Sequence, residues 1–181
     1  MPMFDPITRR LRRLFGVLDS DQDGFVTWSD HRQIVDAYAA GYGLAGDDDR
    51  IRALEKAYWA LWLGLLTQSE PGRERLDQDE FVAAQRAVGY DANRPELLEN
   101  LAEAIFRIMD TKGDKRVSRD EFAAYLSVWG VSSEQDPVVF ERLDLDRDAF
   151  ISQREIARSL RAFHLHNDDL NTPGGIFLGI Y

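Results

Sequence analysis

The chain has no cysteine, so neither disulfides nor thiol chemistry contribute to it. It has only three methionines, and two of them, Met1 and Met3, sit at the N-terminus. That is too few for the adaptable methionine-rich groove of a promiscuous helix binder. Histidine is equally scarce. His164 and His166 are two residues apart and would face different directions on a helix, and His31 is alone; all three are read as ordinary surface or partly buried residues. No nucleophile–base motif and no glycine-rich phosphate loop is visible, and an enzyme is not expected. The longest apolar run, 57–66, is about half of the roughly 20 residues a membrane span needs. Met1-Pro2 opens no apolar leader and lacks the second-position glycine of a myristoyl anchor. Basic residues (22) are outnumbered by acidic ones (32), giving a net charge of −10. Such a surface repels nucleic acid and anionic membranes and attracts divalent cations. A cytoplasmic monomer without membrane anchor or nucleic-acid partner is expected.

Much of the acidic excess is concentrated in loops. In Asp19-Ser20-Asp21-Gln22-Asp23-Gly24-Phe25-Val26-Thr27-Trp28-Ser29-Asp30, carboxylates occupy positions 1, 3, 5 and 12 of a twelve-residue segment. Glycine stands at position 6 and an aliphatic residue at position 8. Oxygens at that alternation can wrap a hard cation the size of Ca²⁺, with the main-chain carbonyl of Phe25 as a further ligand. The pattern recurs at 144–155, with Asp144, Asp146, Asp148, Glu155 and the Phe150 carbonyl in register. Two such segments, each followed by a helical pattern, predict an EF-hand protein.

Two degraded copies complete a fourfold repeat, at 69–80 and 110–121. Apolar residues at helical spacing precede the loops: Ile7, Leu11, Leu14, Phe15 and Leu18; Ile51, Leu54, Tyr58, Leu61 and Leu65; Leu97, Leu101, Ile105 and Ile108. Asn93-Arg94-Pro95 and Asp136-Pro137 read as helix starts, Asp47-Asp48-Asp49 as a helix N-terminus, and Gly41, Gly89 and Gly130 as stops. Position 9 is Thr27, Asp77, Ser118 or Ser152, and position 12 is Asp30, Glu80, Glu121 or Glu155. That spacing predicts a capping box at the start of each exiting helix. Position 8 is Val26, Leu76, Val117 or Ile151, predicting a short antiparallel contact between paired loops. The expected fold is all-α: two paired lobes in one globule, residues 1–90 and 91–181.

The four loops differ in ligand quality. Loop 1 (19–30) is complete, but the short arm of Asp30 at position 12 moves it toward Mg²⁺, which wants fewer ligands at shorter range. Loop 4 (144–155) is complete apart from Ala149 at the glycine position, where a Cβ at positive φ costs on the order of 1 kcal/mol. Loop 3 (110–121) keeps Asp110, Asp114, Glu121 and the Arg116 carbonyl as weaker candidates, but carries Lys112 at position 3 and Lys115 at position 6. Loop 2 (69–80) offers Ser69, Pro71, Arg73 and Arg75 in the ligand register and is expected to be dead. Two Ca²⁺ ions are expected, with Mg²⁺ competing most at loop 1.

The loop 1 pattern with Asp30 and with Trp28 at position 10 resembles the calerythrin and sarcoplasmic calcium-binding protein family. The long spacing to a degraded second hand, and Thr172-Pro173-Gly174-Gly175 before an apolar tail, fit the same family. The resemblance covers essentially the whole chain and implies a globular Ca²⁺/Mg²⁺ binder acting as a buffer or transporter. Lys112, Lys115 and Ala149 depart from the family pattern. The alternative is a sensor that opens an apolar groove to a protein target. The tail 176–181 is almost wholly apolar and is expected to fold back and plug such a groove.

Overall fold

The computed structural model describes residues 5–131, 136–166 and 173–178. Within them the chain forms eight α-helices and two very short strands. The helices are α1 (Pro6–Leu18), α2 (Trp28–Gly41), α3 (Asp49–Leu66), α4 (Gln78–Tyr90), α5 (Glu96–Met109), α6 (Arg119–Val128), α7 (Asp136–Leu143) and α8 (Gln153–Leu165). A 3₁₀ helix follows at Pro173–Leu178. Each loop lies between two helices, as the periodicity requires. No helix of the described residues is long and apolar enough to cross a membrane.

Local sequence accounts for the helix ends. Asp5 caps α1 by accepting the Thr8 N–H at 3.2 Å, with Pro6 in the first turn, where a missing N–H does no harm. Asp48 caps α3 through the Arg50 N–H at 2.9 Å. All four predicted capping boxes form, at Thr27/Asp30, Asp77/Glu80, Ser118/Glu121 and Ser152/Glu155. Gly130, at φ 68°, stops α6 as expected. Gly41 and Gly89 have a different role. Each lies inside the last turn of its helix. A Cβ on Gly41 would meet the Val128 side chain at 2.1 Å, and one on Gly89 would meet the His164 Cβ at 2.8 Å. These two glycines let α2 approach α6 and α4 approach α8.

Loops 1 and 2 are joined by the strands β1 (Val26–Thr27) and β2 (Arg75–Leu76), antiparallel, with Val26 opposite Leu76. Loops 3 and 4 are joined by a single antiparallel bridge between Val117 and Ile151. All four position-8 side chains are fully buried.

One continuous hydrophobic core runs through both pairs. The long α3 packs along α5, and α5 against α8. Polar contacts buried between the pairs fix their relation. The Tyr38 and Tyr125 hydroxyls lie 3.1 Å apart, and Tyr125 donates onward to the Ile176 carbonyl at 2.9 Å. Arg10 of α1 donates to the carbonyls of Phe163 (2.8 Å) and His166 (2.5 Å), so a cation caps the negative end of α8. His31 and His164 are each only 1% exposed, deeper than the sequence reading placed them. One nitrogen of each ring is satisfied by a carbonyl four residues back, His31 Nδ1 at 3.0 Å from Thr27 and His164 Nδ1 at 2.8 Å from Leu160, while the His31 ring packs against Trp28 and Trp62 and its Nε2 is buried without a partner. His164 Nε2 is 3.0 Å from the Gln85 side-chain amide. His166 is exposed.

The 3₁₀ helix lies against α8. A Cβ on Gly174 would fall 2.0 Å from the Ser159 carbonyl oxygen, so only glycine permits this crossing. Ile176 and Phe177 are buried, and the Phe177 ring centroid is 5.9 Å from that of Tyr125. The tail residues 179–181, and Thr172 before it, lie outside the described residues.

Two outcomes follow from this packing. Phe177→Ala removes a fully buried ring and is expected to destabilise the fold by about 3–5 kcal/mol. Deleting 174–181 should likewise lower the melting temperature and raise apolar-dye binding. Thermal unfolding with a dye titration checks both, and unchanged stability would show that the ring carries no weight. The second outcome concerns pH. Burial, partly offset by the hydrogen bond to Leu160, together with the nearby charge of Arg10, holds the His164 ring down at about 4 against an ordinary 6.5. The unfolded chain takes up this proton first, so stability is complete above 6.5 and falls as pH drops toward 4. His164→Gln should flatten the pH dependence of unfolding across that window, measured by denaturant titration.

Candidate metal centres

Loops 1, 3 and 4 share one backbone course. Positions 4 and 6 both have positive φ: Gln22 at 58° and Gly24 at 84°, Gly113 at 70° and Lys115 at 66°, Arg147 at 61° and Ala149 at 69°. The N–H at position 6 donates to the position-1 carboxylate in all three, from Gly24 to Asp19 (3.2 Å), Lys115 to Asp110 (3.0 Å) and Ala149 to Asp144 (3.0 Å). These turns aim the carboxylates inward. Lys115 and Ala149 therefore hold the strained conformation that the sequence anticipated. Gln22 and Arg147 hold it too, which the motif does not announce.

Carboxylate oxygens of Asp19, Asp21 and Asp23 lie within 4.8 Å of one another, and so do those of Asp144, Asp146 and Asp148. Among the described residues these are the two acidic groups of this kind. Asp19 is 9% exposed, and its Oδ1 is buried without a hydrogen-bond donor. A buried anionic oxygen left in that state is destabilising by about 1–3 kcal/mol or more, and a cation would satisfy it. The Phe25 and Phe150 N–H groups donate to Asp23 (2.8 Å) and Asp148 (2.9 Å), which orients the position-5 carboxylates.

The position-12 acids differ in reach. Asp30 accepts from the Thr27 N–H and hydroxyl, both at 2.7 Å, and stays at the head of its own helix. Glu155 accepts from Ser152 in the same way but also spans the loop to the Leu145 N–H at 2.8 Å. Its arm reaches across the loop.

Loop 3 has the backbone of a hand without the acidic cluster. Asp110, Asp114 and Glu121 keep their places, but Asp114 pairs with Arg116 at 3.1 Å, and the Lys112 ammonium lies 3.3 Å from the Ser118 hydroxyl. Burial pushes the Glu121 carboxyl up. Hydrogen bonds from Ser118, the Lys112 N–H and the Thr111 hydroxyl outweigh this and hold it at about 2.

Loop 2 takes a different course. Gly72 at position 4 has φ 84°, but Glu74 at position 6 has no positive φ. Arg73, at position 5, sends its guanidinium to Glu80 at position 12, 2.9 Å away, and to Glu70 at 3.5 Å. A fixed organic cation holds the carboxylate that a metal would hold in an intact hand. An arginine at position 5 facing a glutamate at position 12 was the readable signal for this pair.

The strain at Ala149 gives a test independent of any ion. Ala149→Gly should stabilise the protein in chelator by on the order of 1 kcal/mol, because glycine adopts φ 69° without a Cβ clash. Thermal unfolding checks it; a less stable variant would mean that the turn is not strained.

No family model matches the chain. Calerythrin of Saccharopolyspora erythraea is 22% identical over 169 residues, spanning 91% of this chain and 96% of calerythrin. The sarcoplasmic calcium-binding protein of Perinereis vancaurica tetradentata is 23% identical over 129 residues, 71% of this chain and 72% of that protein. Among solved structures, a calcium-binding protein of Streptomyces coelicolor is 28% identical, with a TM-score of 0.71 over 87% of this chain and 97% of its own. Hands paired at position 8 and whole-length likeness agree: the chain is an EF-hand protein similar to calerythrin and the sarcoplasmic calcium-binding proteins.

Proposed function

We propose that the protein binds two Ca²⁺ ions, one in loop 1 and one in loop 4, and serves as a cytoplasmic Ca²⁺/Mg²⁺ buffer without catalytic activity. The observation that carries this is the twofold convergence of three aspartates, one of them with a buried, donorless oxygen. Asp19, Asp21, Asp23, Asp30 and the Phe25 carbonyl would hold one ion; Asp144, Asp146, Asp148, Glu155 and the Phe150 carbonyl the other. The metal supplies positive charge that neutralises each carboxylate group and ties the two ends of its loop together. Loop 2 takes no cation because Arg73 already occupies Glu80. Loop 3 is silent at low Ca²⁺, because the cations of Lys112 and Arg116 stand where a ligand and a free Asp114 are needed. The short reach of Asp30 supports stronger Mg²⁺ competition at loop 1. The pairing of loops supports an organisation into two hand pairs, 1–90 and 91–181.

Two features support a buffer over a sensor. Met109 is the one methionine beyond the N-terminus, and a single methionine cannot line the adaptable groove of a sensor. Ile176 and Phe177 are buried, with the 3₁₀ helix against α8 and Phe177 beside Tyr125, which supports a tail folded back onto the core. The sensor reading draws on the Streptomyces coelicolor relative, a protein of prokaryotic calcium-mediated regulation. Apolar-dye binding that rises on adding Ca²⁺ to the full chain would favour the sensor, and a flat response the buffer. The expectation of transport gains no support from the fold or the relatives.

Calorimetric titration with Ca²⁺, with and without millimolar Mg²⁺, tests the central reading. Two ions should bind, and Glu155→Gln should leave one, since a neutral amide cannot replace a chelating carboxylate. Mg²⁺ should weaken the remaining loop 1 site in that variant more than it weakens loop 4 in the parent. A stoichiometry of three or four at micromolar Ca²⁺, or of none, would overturn the assignment.

A further inference from the structure

The same contact occurs in both hand pairs, between the residues at position 7 of the two facing loops. The Arg75 guanidinium carbon lies 3.9 Å from the centre of the Phe25 ring, and that of Arg116 lies 4.0 Å from the centre of the Phe150 ring. In each case the phenylalanine belongs to the loop with the aspartate cluster and the arginine to the damaged loop. The order of the two is reversed between the pairs. The damaged loop is second in the first pair and first in the second pair. Duplication of one pair into the other would have put the arginine in the same place twice. The arginine instead tracks the damage.

The strand register explains how the contact forms. Val26 and Leu76 face each other and turn into the core, so their neighbours Phe25, Thr27 and Arg75 turn the other way. Thr27 is directly opposite Arg75, which puts Phe25 on the diagonal, within reach of a long side chain. Val117 and Ile151 place Arg116 and Phe150 in the same relation. Both phenylalanine rings are half-buried beneath exposed arginines.

We infer that Arg75 and Arg116 are positioning residues for the neighbouring loop's cation site, each clamping the phenylalanine whose backbone carbonyl is a ligand. This rests on the reading of loops 1 and 4 as the cation sites. Position 7 contributes twice to its loop. Its carbonyl is the main-chain ligand, and its N–H orients the position-5 aspartate, at 2.8 Å in loop 1 and 2.9 Å in loop 4. A planar cation stacked on the ring restricts that residue before any metal arrives, so less ordering remains for the binding step. The damaged loop, having no ion of its own, acts on its neighbour through this side chain.

The sign of the effect separates a clamp from a mere nearby charge. A positive charge acting only by repulsion lowers Ca²⁺ affinity, and its removal raises it. A clamp does the opposite. Arg75→Ala should weaken Ca²⁺ at loop 1 about two- to fivefold, the range of an exposed cation–π contact, and leave loop 4 unchanged. Arg116→Ala should weaken loop 4 and spare loop 1. The Glu155→Gln background isolates loop 1 for the first titration, and Arg75→Lys should restore part of the loss. A second readout needs no metal: in chelator, hydrogen exchange at the Phe25 amide should quicken in Arg75→Ala, while the fully buried Val26 amide in the cross-loop pair keeps its protection. Tighter or unchanged binding with unaltered Phe25 exchange overturns the clamp while leaving the cation sites intact. Absence of Ca²⁺ binding in the parent overturns both readings. Weakening of both loops by either single variant would mark a general loss of fold and would also refute the clamp.

Discussion

Val26 faces Leu76, and Val117 faces Ile151, across two short antiparallel contacts whose four side chains are wholly buried. Each contact is made at the eighth position of a loop and joins a loop with an aspartate cluster to one without. The main-chain bonds between Val117 and Ile151, 2.9 and 2.8 Å long, carry the second pair. An isolated loop of this kind is a chain of like charges with several backbone turns of positive φ and no core of its own. Against its partner it becomes the edge of a packed unit. A damaged loop can therefore lose its ligands and still be needed, provided position 8 stays apolar. Loop 2 illustrates how far this goes. Its ligand positions hold serine, proline and arginines, its backbone has left the course of the other three loops, and Leu76 is still fully buried.

The pairs are in turn locked together by buried polar groups. Arg10 caps α8 from the first pair, and His164 meets Gln85 across the interface. Separating these surfaces leaves a guanidinium, a neutral imidazole and several carbonyls without partners, at about 1–3 kcal/mol for each group that stays buried. The Tyr38–Tyr125–Ile176 chain adds the 3₁₀ helix to the same lock.

Much of this was legible in the chain, because the informative residues answer to local rules. Position 9 with position 12 encodes a capping box, and all four formed. Position 8 encodes the cross-loop pair, and both formed. What escaped depends on contacts distant in sequence. Gly41 and Gly89 look like helix stops because glycine so often ends helices, yet their role is set by Val128 and His164, more than 70 residues away. His31 and His164 read as surface or partly buried residues because histidine is polar, but a carbonyl four residues back satisfies one nitrogen of each and both are buried. Arg73 looked like a lost ligand; in three dimensions it is a substitute cation. The strain at Gln22 and Arg147 was silent because position 4 tolerates many side chains, so the residue type there says nothing of φ.

Under the proposed assignment, one loop of each pair takes the ion and its partner does not. The amide at position 6 reports this loop by loop, since in loops 1, 3 and 4 its N–H is bonded to the position-1 carboxylate that would bind the metal. Following the amides of Gly24, Glu74, Lys115 and Ala149 by two-dimensional NMR during a Ca²⁺ titration is the most direct measurement. Large, saturating shifts are expected at Gly24 and Ala149 by two equivalents, with Glu74 and Lys115 nearly unmoved. Saturating shifts at Glu74 or Lys115 over the same range, or a silent Gly24, would contradict the assignment.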